Sequence, residues 1–411
     1  MDIRIQPCKL SGDVSIPSSK SYAHRALICA ALASGRSVID GISMSKDIEA
    51  TISAMSALGA DCTVGENGRI IVDGITAPSE KAIIDCNESG STLRFVIPIA
   101  AALGADAEFR GRGRLPERPI DIYTRELSKN GIKFEYNNTM PFEISGQLSS
   151  GVYEIEGNVS SQFITGLLFA LPLLKGDSVI KLTSKLESKP YVDITIDCLK
   201  RFGIEIEESD ESYIVKGSQK YIPCDVTVEG DYSQAAFFYT ANALGSSINL
   251  KNLNPESVQG DKKILDIISE MCYNGTVLKK FNADCSDIPD LVPILTVLGC
   301  FGTETSEIFN AERLKIKESD RLEAISVTLN KLGGNVTVTE DGLIIEPVSS
   351  LHGGIVDSFG DHRIVMSAAI AATMADGDII IKNAQAVEKS YPDFFRDYNN
   401  LGGKANVITL E

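Results

Sequence analysis

Serine, lysine and arginine residues, together with one glycine and one glutamine, recur at the predicted starts of helices along the chain. They are Lys20, Ser21 and Arg25, then Gly90 and Arg118, then Ser160, Ser161, Gln162 and Ser188, then Lys317, Arg321, Arg363 and Lys389. A helix start has unpaired N–H groups and about half a positive charge, so it attracts anions. Taken singly, each serine is more typical of an ordinary N-cap, and each arginine is more typical of a solvated surface position. Their repetition favours several helix starts facing one cleft that binds anionic ligands.

Three residues have the chemistry for proton transfer, which a binding site needs if it is to be an enzyme. Asp290 lies in the apolar stretch IPDLVPIL, where a carboxylate suits only a first helical turn or a functional role. Glu318 lies between Lys317 and Arg321, which should hold it ionised. Lys20 begins an apolar helix near other cations. The spacing makes these three candidates only, and GxSxG, P-loop and HExxH motifs are absent from the sequence.

The helices that carry these residues recur in six units. Amphipathic patterns end at Gly59, Gly131, Gly203, Gly275, Gly333 and Gly402, and the first three steps are each 72 residues long. Between them lies a second series of helices, apolar nearly all round and therefore predicted to be buried. Short alternating strands follow each amphipathic helix. The pattern predicts an α/β protein built from a repeated unit.

Six units need two hydrophobic cores, because one core rarely grows beyond about 250–300 residues. Three units per lobe is the natural division. We predict one lobe from residues 15–225 and another from residues 1–14 together with 226–411. The last unit lacks a strand, which residues 3–5 are predicted to supply. A single long α/β domain with incidental spacing is the alternative.

The composition excludes several classes of protein. The 411 residues include 39 Lys and Arg against 56 Asp and Glu, a net charge of −17, which disfavours general binding to nucleic acid. The hydrophobic content of 43% excludes a mainly disordered chain. No apolar run reaches the length of about 18 residues that suggests a membrane span, and MDIRIQPCKL has no apolar signal core, so a cytoplasmic protein is expected. Nine scattered cysteines and three histidines predict reduced thiols and no metal site.

Nine short motifs follow one another along nearly the whole chain. They are SSKSYAHRA at 18–26, ESGSTLR at 88–94, ERPI at 117–120, SSQF at 160–163, SKPY at 188–191, DIPD at 287–290, KESDR at 317–321, DHR at 361–363 and KSYPDF at 389–394. As an ordered set they resemble the 5-enolpyruvylshikimate-3-phosphate (EPSP) synthase family. The resemblance implies the two-lobed enolpyruvyl-transferase fold, an inside-out α/β barrel with three βαβαββ units and buried helices in each lobe.

The resemblance also implies a reaction. The enolpyruvyl group of phosphoenolpyruvate (PEP) moves to the 5-hydroxyl of shikimate 3-phosphate, phosphate is released, and no metal or organic cofactor takes part. Both substrates carry a phosphate and a carboxylate, which suits the predicted anion site. Glyphosate is expected to compete with PEP because Gly90 is the family's usual glycine, and a monomer is expected.

Roles for single residues follow from the same resemblance. Shikimate 3-phosphate is expected to contact Lys20, Ser21, Arg25, Ser160, Ser161, Gln162, Ser188, Asp290 and Lys317. PEP is expected to contact Lys20, Gly90, Arg118, Gln162, Arg321, Arg363 and Lys389. Asp290 is expected to be the base at the 5-hydroxyl, Glu318 the proton relay to the methylene carbon, and Lys20 a further proton-transfer group. Four positions depart from many members of the family, namely Ser18, His24 (often Asn), Glu88 and Arg313.

Three other functions are compatible with parts of the pattern. UDP-N-acetylglucosamine enolpyruvyl transferases share the implied fold, but they carry a reactive cysteine five residues before the arginine that matches Arg118, and here that position is Gly113. A DNA sliding clamp is also acidic and six-fold repeated, but its helices carry basic residues along their lengths. A catalytically silent anion-binding relative would not need Asp290, Glu318 and Lys20.

Overall fold

The computed structural model describes residues 1–273 and 277–408, and its residue contacts divide the chain into two compact units. The central unit is Ser18–Glu229, and the terminal unit is Met1–Pro17 with Gly230–Glu411. The sequence places these boundaries at 14/15 and 225/226. Each unit has its own hydrophobic core.

The described residues form 12 α-helices, in which a buried helix alternates with an amphipathic one. In the central unit they are α1 (Lys20–Leu32), α2 (Lys46–Ala57), α3 (Gly90–Leu103), α4 (Asp121–Lys129), α5 (Ser161–Ala170) and α6 (Lys189–Arg201). In the terminal unit they are α7 (Tyr232–Ala243), α8 (Ile264–Met271), α9 (Val292–Gly299), α10 (Arg321–Lys331), α11 (His362–Ala371) and α12 (Phe394–Asn400). The odd-numbered helices are the buried ones, because their sequences are apolar on nearly every side.

The strands are short, mostly of four or five residues. They are β1 (Asp2–Gln6), β2 (Ser11–Ser15), β3 (Arg36–Asp40), β4 (Asp61–Val64), β5 (Ile70–Asp73), β6 (Lys81–Asp85), β7 (Asp106–Arg110), β8 (Ile132–Glu135), β9 (Phe142–Gly146), β10 (Val152–Ile155), β11 (Ser178–Leu182), β12 (Ile206–Ser209), β13 (Ser212–Val215), β14 (Val226–Thr227), β15 (Ser247–Lys251), β16 (Cys272–Tyr273), β17 (Val277–Leu278), β18 (Asn282–Asp284), β19 (Ser306–Phe309), β20 (Asn335–Val338), β21 (Leu343–Glu346), β22 (Gly354–Asp357), β23 (Ile379–Lys382) and β24 (Lys404–Ile408).

Three four-stranded sheets of one design make up the central unit. Their strand orders are β14-β3-β5-β4, β6-β7-β9-β8 and β10-β11-β13-β12. In each sheet the first two strands are parallel, and the other pairings are antiparallel. A parallel pair needs a crossover, which the buried helix provides within the second and third sheets. The order βαβαββ of the repeat is thereby confirmed.

The terminal unit repeats this design with strands from both ends of the chain. Strand order β18-β19-β21-β20 matches the central sheets, and β2 pairs in parallel with β15. The last sheet is β22-β23-β1-β24, in which Ile3 lies opposite Ile381 on one side and Val407 on the other. The prediction that residues 3–5 supply the missing strand is therefore confirmed.

The glycines that end the amphipathic patterns adopt a left-handed backbone. Positive φ angles of 113°, 101°, 80°, 87° and 86° occur at Gly59, Gly131, Gly203, Gly333 and Gly402. Glycine is favoured directly after a helix because it has no Cβ to clash in that conformation. Gly275 lies outside the described residues. The fourth pattern differs from the prediction, since α8 ends at Met271 and Cys272 already begins a strand.

The helices of the described residues are each too short, or not apolar enough, to cross a membrane.

Candidate active site

The guanidinium of Arg25 is fixed by neutral groups of the central unit. Its side chain is buried, and it donates to Thr195 Oγ1 at 2.8 Å, to the Tyr191 carbonyl at 2.8 Å and to the Ser21 carbonyl at 2.6 Å. Burial lowers the pKa of Arg25 to about 10, so the group stays protonated at neutral pH. The acceptors are uncharged, so its positive charge remains available to a carboxylate or phosphate.

Lys20 is the first residue of α1, and Ser19, which directly precedes it, is the N-cap. The Lys20 ammonium donates to Asp47 Oδ2 at 3.0 Å. Asp47 is buried in the first turn of α2 and was not among the predicted site residues. The predicted proton-transfer lysine therefore has a carboxylate partner brought by the next helix.

Gly90 begins α3 at the centre of a group of polar side chains. A Cβ added to Gly90 would overlap Arg118 Nη1, so this guanidinium lies against the glycine backbone. Arg94, one turn along α3, is buried and donates to Gln162 Oε1 at 2.7 Å. Gln162 in turn donates to Ser91 Oγ at 3.0 Å. The structure thus brings the predicted residues Gly90, Arg118 and Gln162 into one cluster within the central unit.

Three of the four predicted serines lie at the starts of α5 and α6. Ser160 is the N-cap of α5, where its hydroxyl accepts from the backbone N–H of Gln162 at 3.3 Å, and Ser161 is the first residue of that helix. Ser188 is buried at the N-cap position of α6, with a φ of 57°. A left-handed backbone is unfavourable for serine, and such strain is common at functional sites. These positions present N–H and hydroxyl donors at helix N-termini.

In the terminal unit, three carboxylates surround Arg321. Its side chain is only 2% exposed, and its nitrogens donate to Asp361 Oδ2 at 2.7 Å, to Asp290 Oδ1 at 2.9 Å and to Glu318 Oε2 at 2.7 Å. The pairing of Glu318 with Arg321 agrees with their spacing in the sequence. Asp361, the N-cap of α11, was not predicted to take part.

Asp290 bridges Arg321 to a second arginine. Arg363 donates to Asp290 Oδ2 at 2.6 Å and to Ser233 Oγ at 3.1 Å. Burial alone would raise the pKa of Asp290, but the positive charges of Arg363, Arg321 and Lys317 outweigh it and lower the pKa well below its usual range. In this arrangement Asp290 is an ionised carboxylate, and it binds Arg321 and Arg363, which are two of the residues predicted to bind PEP.

Lys317 has a perturbed ammonium group next to this cluster. Burial lowers the pKa of Lys317 to about 7; the positive charges of Arg313 and Arg321 add to the effect, and the negative charges of Asp290 and Glu318 oppose it. Lys317 therefore changes its charge near neutral pH.

Helix α10 starts later than the spacing predicts. It begins at Arg321 behind the N-cap Asp320, so Lys317 and Glu318 precede the helix instead of opening it. Asp320 fixes the start of α10 because its side chain accepts a hydrogen bond from the Glu323 N–H. This hydrogen bond competes with a further helical turn towards the N-terminus. Lys389 is buried at the end of the 3₁₀ segment Ala384–Lys389.

Sequence reasoning missed two carboxylate partners and one arginine. Asp47, Arg94 and Asp361 all lie in or beside the recognised motifs or in a first helical turn, and their burial is the signal that separates them from solvated residues. No group of three or more His, Cys, Asp or Glu side chains within residues 1–273 and 277–408 is arranged to hold a metal ion.

Comparisons with known proteins agree on one family. A family model described as EPSP synthase (3-phosphoshikimate 1-carboxyvinyltransferase) matches residues 5–398. The chain is 48% identical to a 3-phosphoshikimate 1-carboxyvinyltransferase of Clostridium beijerinckii and 45% identical to one of Clostridioides difficile, with 98% of each chain covered in both cases. An EPSP synthase structure from Acinetobacter baumannii matches 99% of this chain and 100% of its own, with a TM-score of 0.83 and 24% identity. This structural likeness shows that the fold is shared.

The surroundings of Arg321 can be tested by comparing two N-cap aspartates. Asp361→Ala leaves the buried guanidinium without one carboxylate, and we expect a loss of about 3 kcal/mol in the free energy of unfolding. Asp320→Ala is the matched control, because half-buried Asp320 caps α10 and its removal should cost only about 0.5–2 kcal/mol. Urea unfolding followed by circular dichroism measures both, and equal losses would contradict the role of Asp361.

Proposed function

The chain belongs to the EPSP synthase (3-phosphoshikimate 1-carboxyvinyltransferase) family, and we propose that residues of the two clusters described above take part in its reaction. The reaction transfers the enolpyruvyl group of PEP to the 5-hydroxyl of shikimate 3-phosphate and releases phosphate. The match over residues 5–398 is the observation that carries this function. The names of the relatives support the shikimate acceptor and not the alternative acceptor, UDP-N-acetylglucosamine.

Shikimate 3-phosphate is proposed to bind mainly through donors of the central unit. Arg25 and Ser21 are assigned to its carboxylate, and the guanidinium of Arg25 is held rigidly by three neutral acceptors. Its phosphate is assigned to the helix starts at Ser160, Ser161 and Ser188, whose N–H groups suit an anion. The remaining proposed contacts are with Lys20, Gln162, Asp290 and Lys317.

PEP is proposed to bind to the exposed backbone of a glycine and to arginine side chains. Gly90 lets an anion approach the N-terminus of α3, and Arg118 lies directly against it. Arg321 and Arg363 add two buried guanidinium groups. Both bind a carboxylate of the protein itself, so the carboxylate of PEP is a suitable partner for them. Lys20, Gln162 and Lys389 complete the set carried over from the family.

The chemistry requires Asp290 to exchange its partners. Paired with two arginines, its carboxylate is a weak base. When the anion of PEP takes over contacts with Arg321 and Arg363, the stabilisation of ionised Asp290 weakens and its basicity rises. Asp290 then accepts the proton of the 5-hydroxyl while the oxygen of that hydroxyl forms a bond to the central carbon of PEP.

Glu318 is proposed to relay a proton to the methylene carbon of PEP in the same addition, which gives a tetrahedral ketal. The ketal loses a proton from the new methyl group and expels phosphate, so the enol double bond is restored. Fixed positive charge from the arginines and lysines stabilises the leaving phosphate. Lys20 is proposed as a further proton-transfer group, held by Asp47.

We also propose a cytoplasmic, monomeric enzyme. All nine cysteines lie within the described residues and are free thiols, as is usual in a reducing compartment. Fractionation of cells tests the location, and sedimentation velocity tests the monomer.

The central experiment measures phosphate release from shikimate 3-phosphate plus PEP. For Asp290→Asn we expect kcat to fall at least about 100-fold, because a general base is lost. The affinity for PEP, measured by calorimetry, should be kept or increased, since Arg321 and Arg363 lose an internal competitor. Glu307→Gln removes an exposed carboxylate from β19 and should leave both values unchanged. Full activity of Asp290→Asn would remove the proposed base.

The charge of Lys317 predicts how substrate affinity depends on pH. Above the pKa of about 7 the free enzyme loses this positive charge, so the affinity for shikimate 3-phosphate should fall as the pH rises towards 9. The second pKa of the substrate phosphate is about 6, so its own charge is nearly constant in that range. Lys317→Arg stays protonated and should show a flatter profile in calorimetric titrations. The same slope in both proteins would contradict the assignment.

The lowered pKa of Lys317 also affects the free energy of unfolding, which changes with pH in the direction opposite to the substrate affinity. The unfolded chain has a lysine pKa of about 10.4 and so binds a proton between that value and about 7 that the folded chain does not. The contribution of Lys317 to stability is therefore lost as the pH falls through about 7.

Glyphosate is proposed to compete with PEP at Gly90. A Cβ at this position overlaps Arg118, so Gly90→Ala should move the guanidinium and raise both the KM for PEP and the inhibition constant for glyphosate about tenfold, the effect of losing roughly 1.4 kcal/mol of binding. Initial rates at varied PEP and glyphosate measure both constants. Uncompetitive or absent inhibition of the unmodified enzyme would contradict the proposal.

A further inference from the structure

Four buried polar side chains form a continuous chain of hydrogen bonds inside the central unit. His24 Nδ1 lies 2.7 Å from Thr51 Oγ1, Thr51 Oγ1 lies 2.7 Å from Thr92 Oγ1, and Thr92 Oγ1 donates to Ser89 Oγ at 2.8 Å. None of the four residues is more than 1% exposed. These hydrogen bonds join α1, α2 and the N-cap of α3 in the interior of the central unit. We call this set of hydrogen bonds the His24–Ser89 chain.

The number of available protons fixes which atom donates in each hydrogen bond of the His24–Ser89 chain. Each hydroxyl has a single proton, and that of Thr92 is used on Ser89. Thr92 must therefore accept from Thr51, and Thr51 must accept from Nδ1–H of His24. Burial lowers the pKa of His24 to about 3, so the ring is neutral and has only this one N–H. The other ring nitrogen, Nε2, is then the unprotonated one, and it has no hydrogen-bond partner.

Both ends of the chain lie next to proposed substrate ligands. Ser89 is the N-cap that sets the first turn of α3, and Gly90 follows it directly. His24 lies one helical turn after Lys20 on α1. Thr51 lies one helical turn after Asp47 on α2, and Asp47 is the partner of Lys20. The chain therefore connects the Lys20–Asp47 ion pair with the helix start at Gly90.

From this juxtaposition, and resting on the proposed function, we propose that the His24–Ser89 chain positions the PEP-binding helix start. Its hydrogen bonds fix the N-terminus of α3 relative to the helices that carry Lys20 and Asp47. His24, Thr51, Thr92 and Ser89 are positioning residues, which act through Gly90 and Lys20 and do not touch the substrate. A small displacement of such a ligand reduces the rate strongly, because a reactant must be held in register with the catalytic groups.

A purely structural role makes a different prediction. Buried hydroxyls that only satisfy one another would affect the free energy of unfolding and leave the kinetic constants of the folded enzyme unchanged. Position 24 makes the two roles separable, because two substitutions of similar size differ in a single hydrogen-bond donor. Asparagine keeps an N–H donor for Thr51, and leucine of similar size does not.

The decisive experiment compares steady-state phosphate release in matched pairs of variants. Thr92→Val and His24→Leu break the chain, and for each we expect kcat/KM for PEP to fall about tenfold or more while the KM for shikimate 3-phosphate stays within about twofold. Thr92→Ser and His24→Asn keep a donor and should stay within about threefold of the unmodified enzyme. Thr240→Val is the control, because Thr240 is buried on α7 and its hydroxyl has no hydrogen-bond partner.

Thermal unfolding of each variant separates positioning from stability. Kinetic constants of the folded Thr92→Val and His24→Leu proteins that match those of Thr240→Val would overturn the proposal. If Thr92→Val does not fold, the His24→Leu and His24→Asn pair decides, since equal kcat/KM values for PEP would overturn it as well. Absence of phosphate release from the unmodified enzyme would instead refute the proposed function.

Discussion

The buried guanidinium of Arg321 is the constraint on which the terminal unit depends. A charge removed from water is tolerated only when it is paired and hydrogen-bonded, and leaving one uncompensated costs several kcal/mol. The three carboxylates that satisfy it come from separate places in the chain, the 3₁₀ segment Pro289–Leu291, the residues before α10 and the N-cap of α11. The arginine can be buried only if two repeats bring these elements together. The same contacts lower the pKa of Asp290, so one set of interactions serves both the folding of this unit and the ionisation of the proposed base.

Buried arginines of this protein have two kinds of partner, neutral oxygens and carboxylates. In the central unit, Arg25 donates to hydroxyl and carbonyl oxygens, which bind its N–H groups without cancelling its charge. In the terminal unit, Arg321 and Arg363 donate to carboxylates, which do cancel their charge. Neutral acceptors leave a positive potential that suits steady binding of an anion. Carboxylate partners create groups whose proton affinity depends on what else binds, which suits proton transfer.

The features that depend on local sequence could be predicted, and those that depend on tertiary partners could not. The helix pattern with its glycine ends identified the repeat, and the strand deficit of the last unit identified β1, because periodicity and backbone conformation are encoded within about 20 residues. Glu318 and Arg321 are three residues apart, so their pairing was visible in the sequence. Asp361 is 40 residues from Arg321 in the chain, and Asp47 is 27 from Lys20. Nothing in the spacing of such residues distinguishes a buried partner from an ordinary N-cap.

A site built to bind two anions also has to be stable without them. Several cations held close together repel one another, and the repulsion is strong where little water screens it. The terminal unit relieves this repulsion with internal carboxylates, of which Asp290 spans two arginines. In the proposed binding mode, PEP competes with Asp290 for these two arginines, and this competition lowers the affinity for PEP. The carboxylate that is displaced is the proposed base, so its basicity rises only when the donor substrate is present. A molecule with a net charge of −17 can therefore hold a local group of buried cations, and under the proposed mechanism the binding of PEP to that group controls the basicity of Asp290.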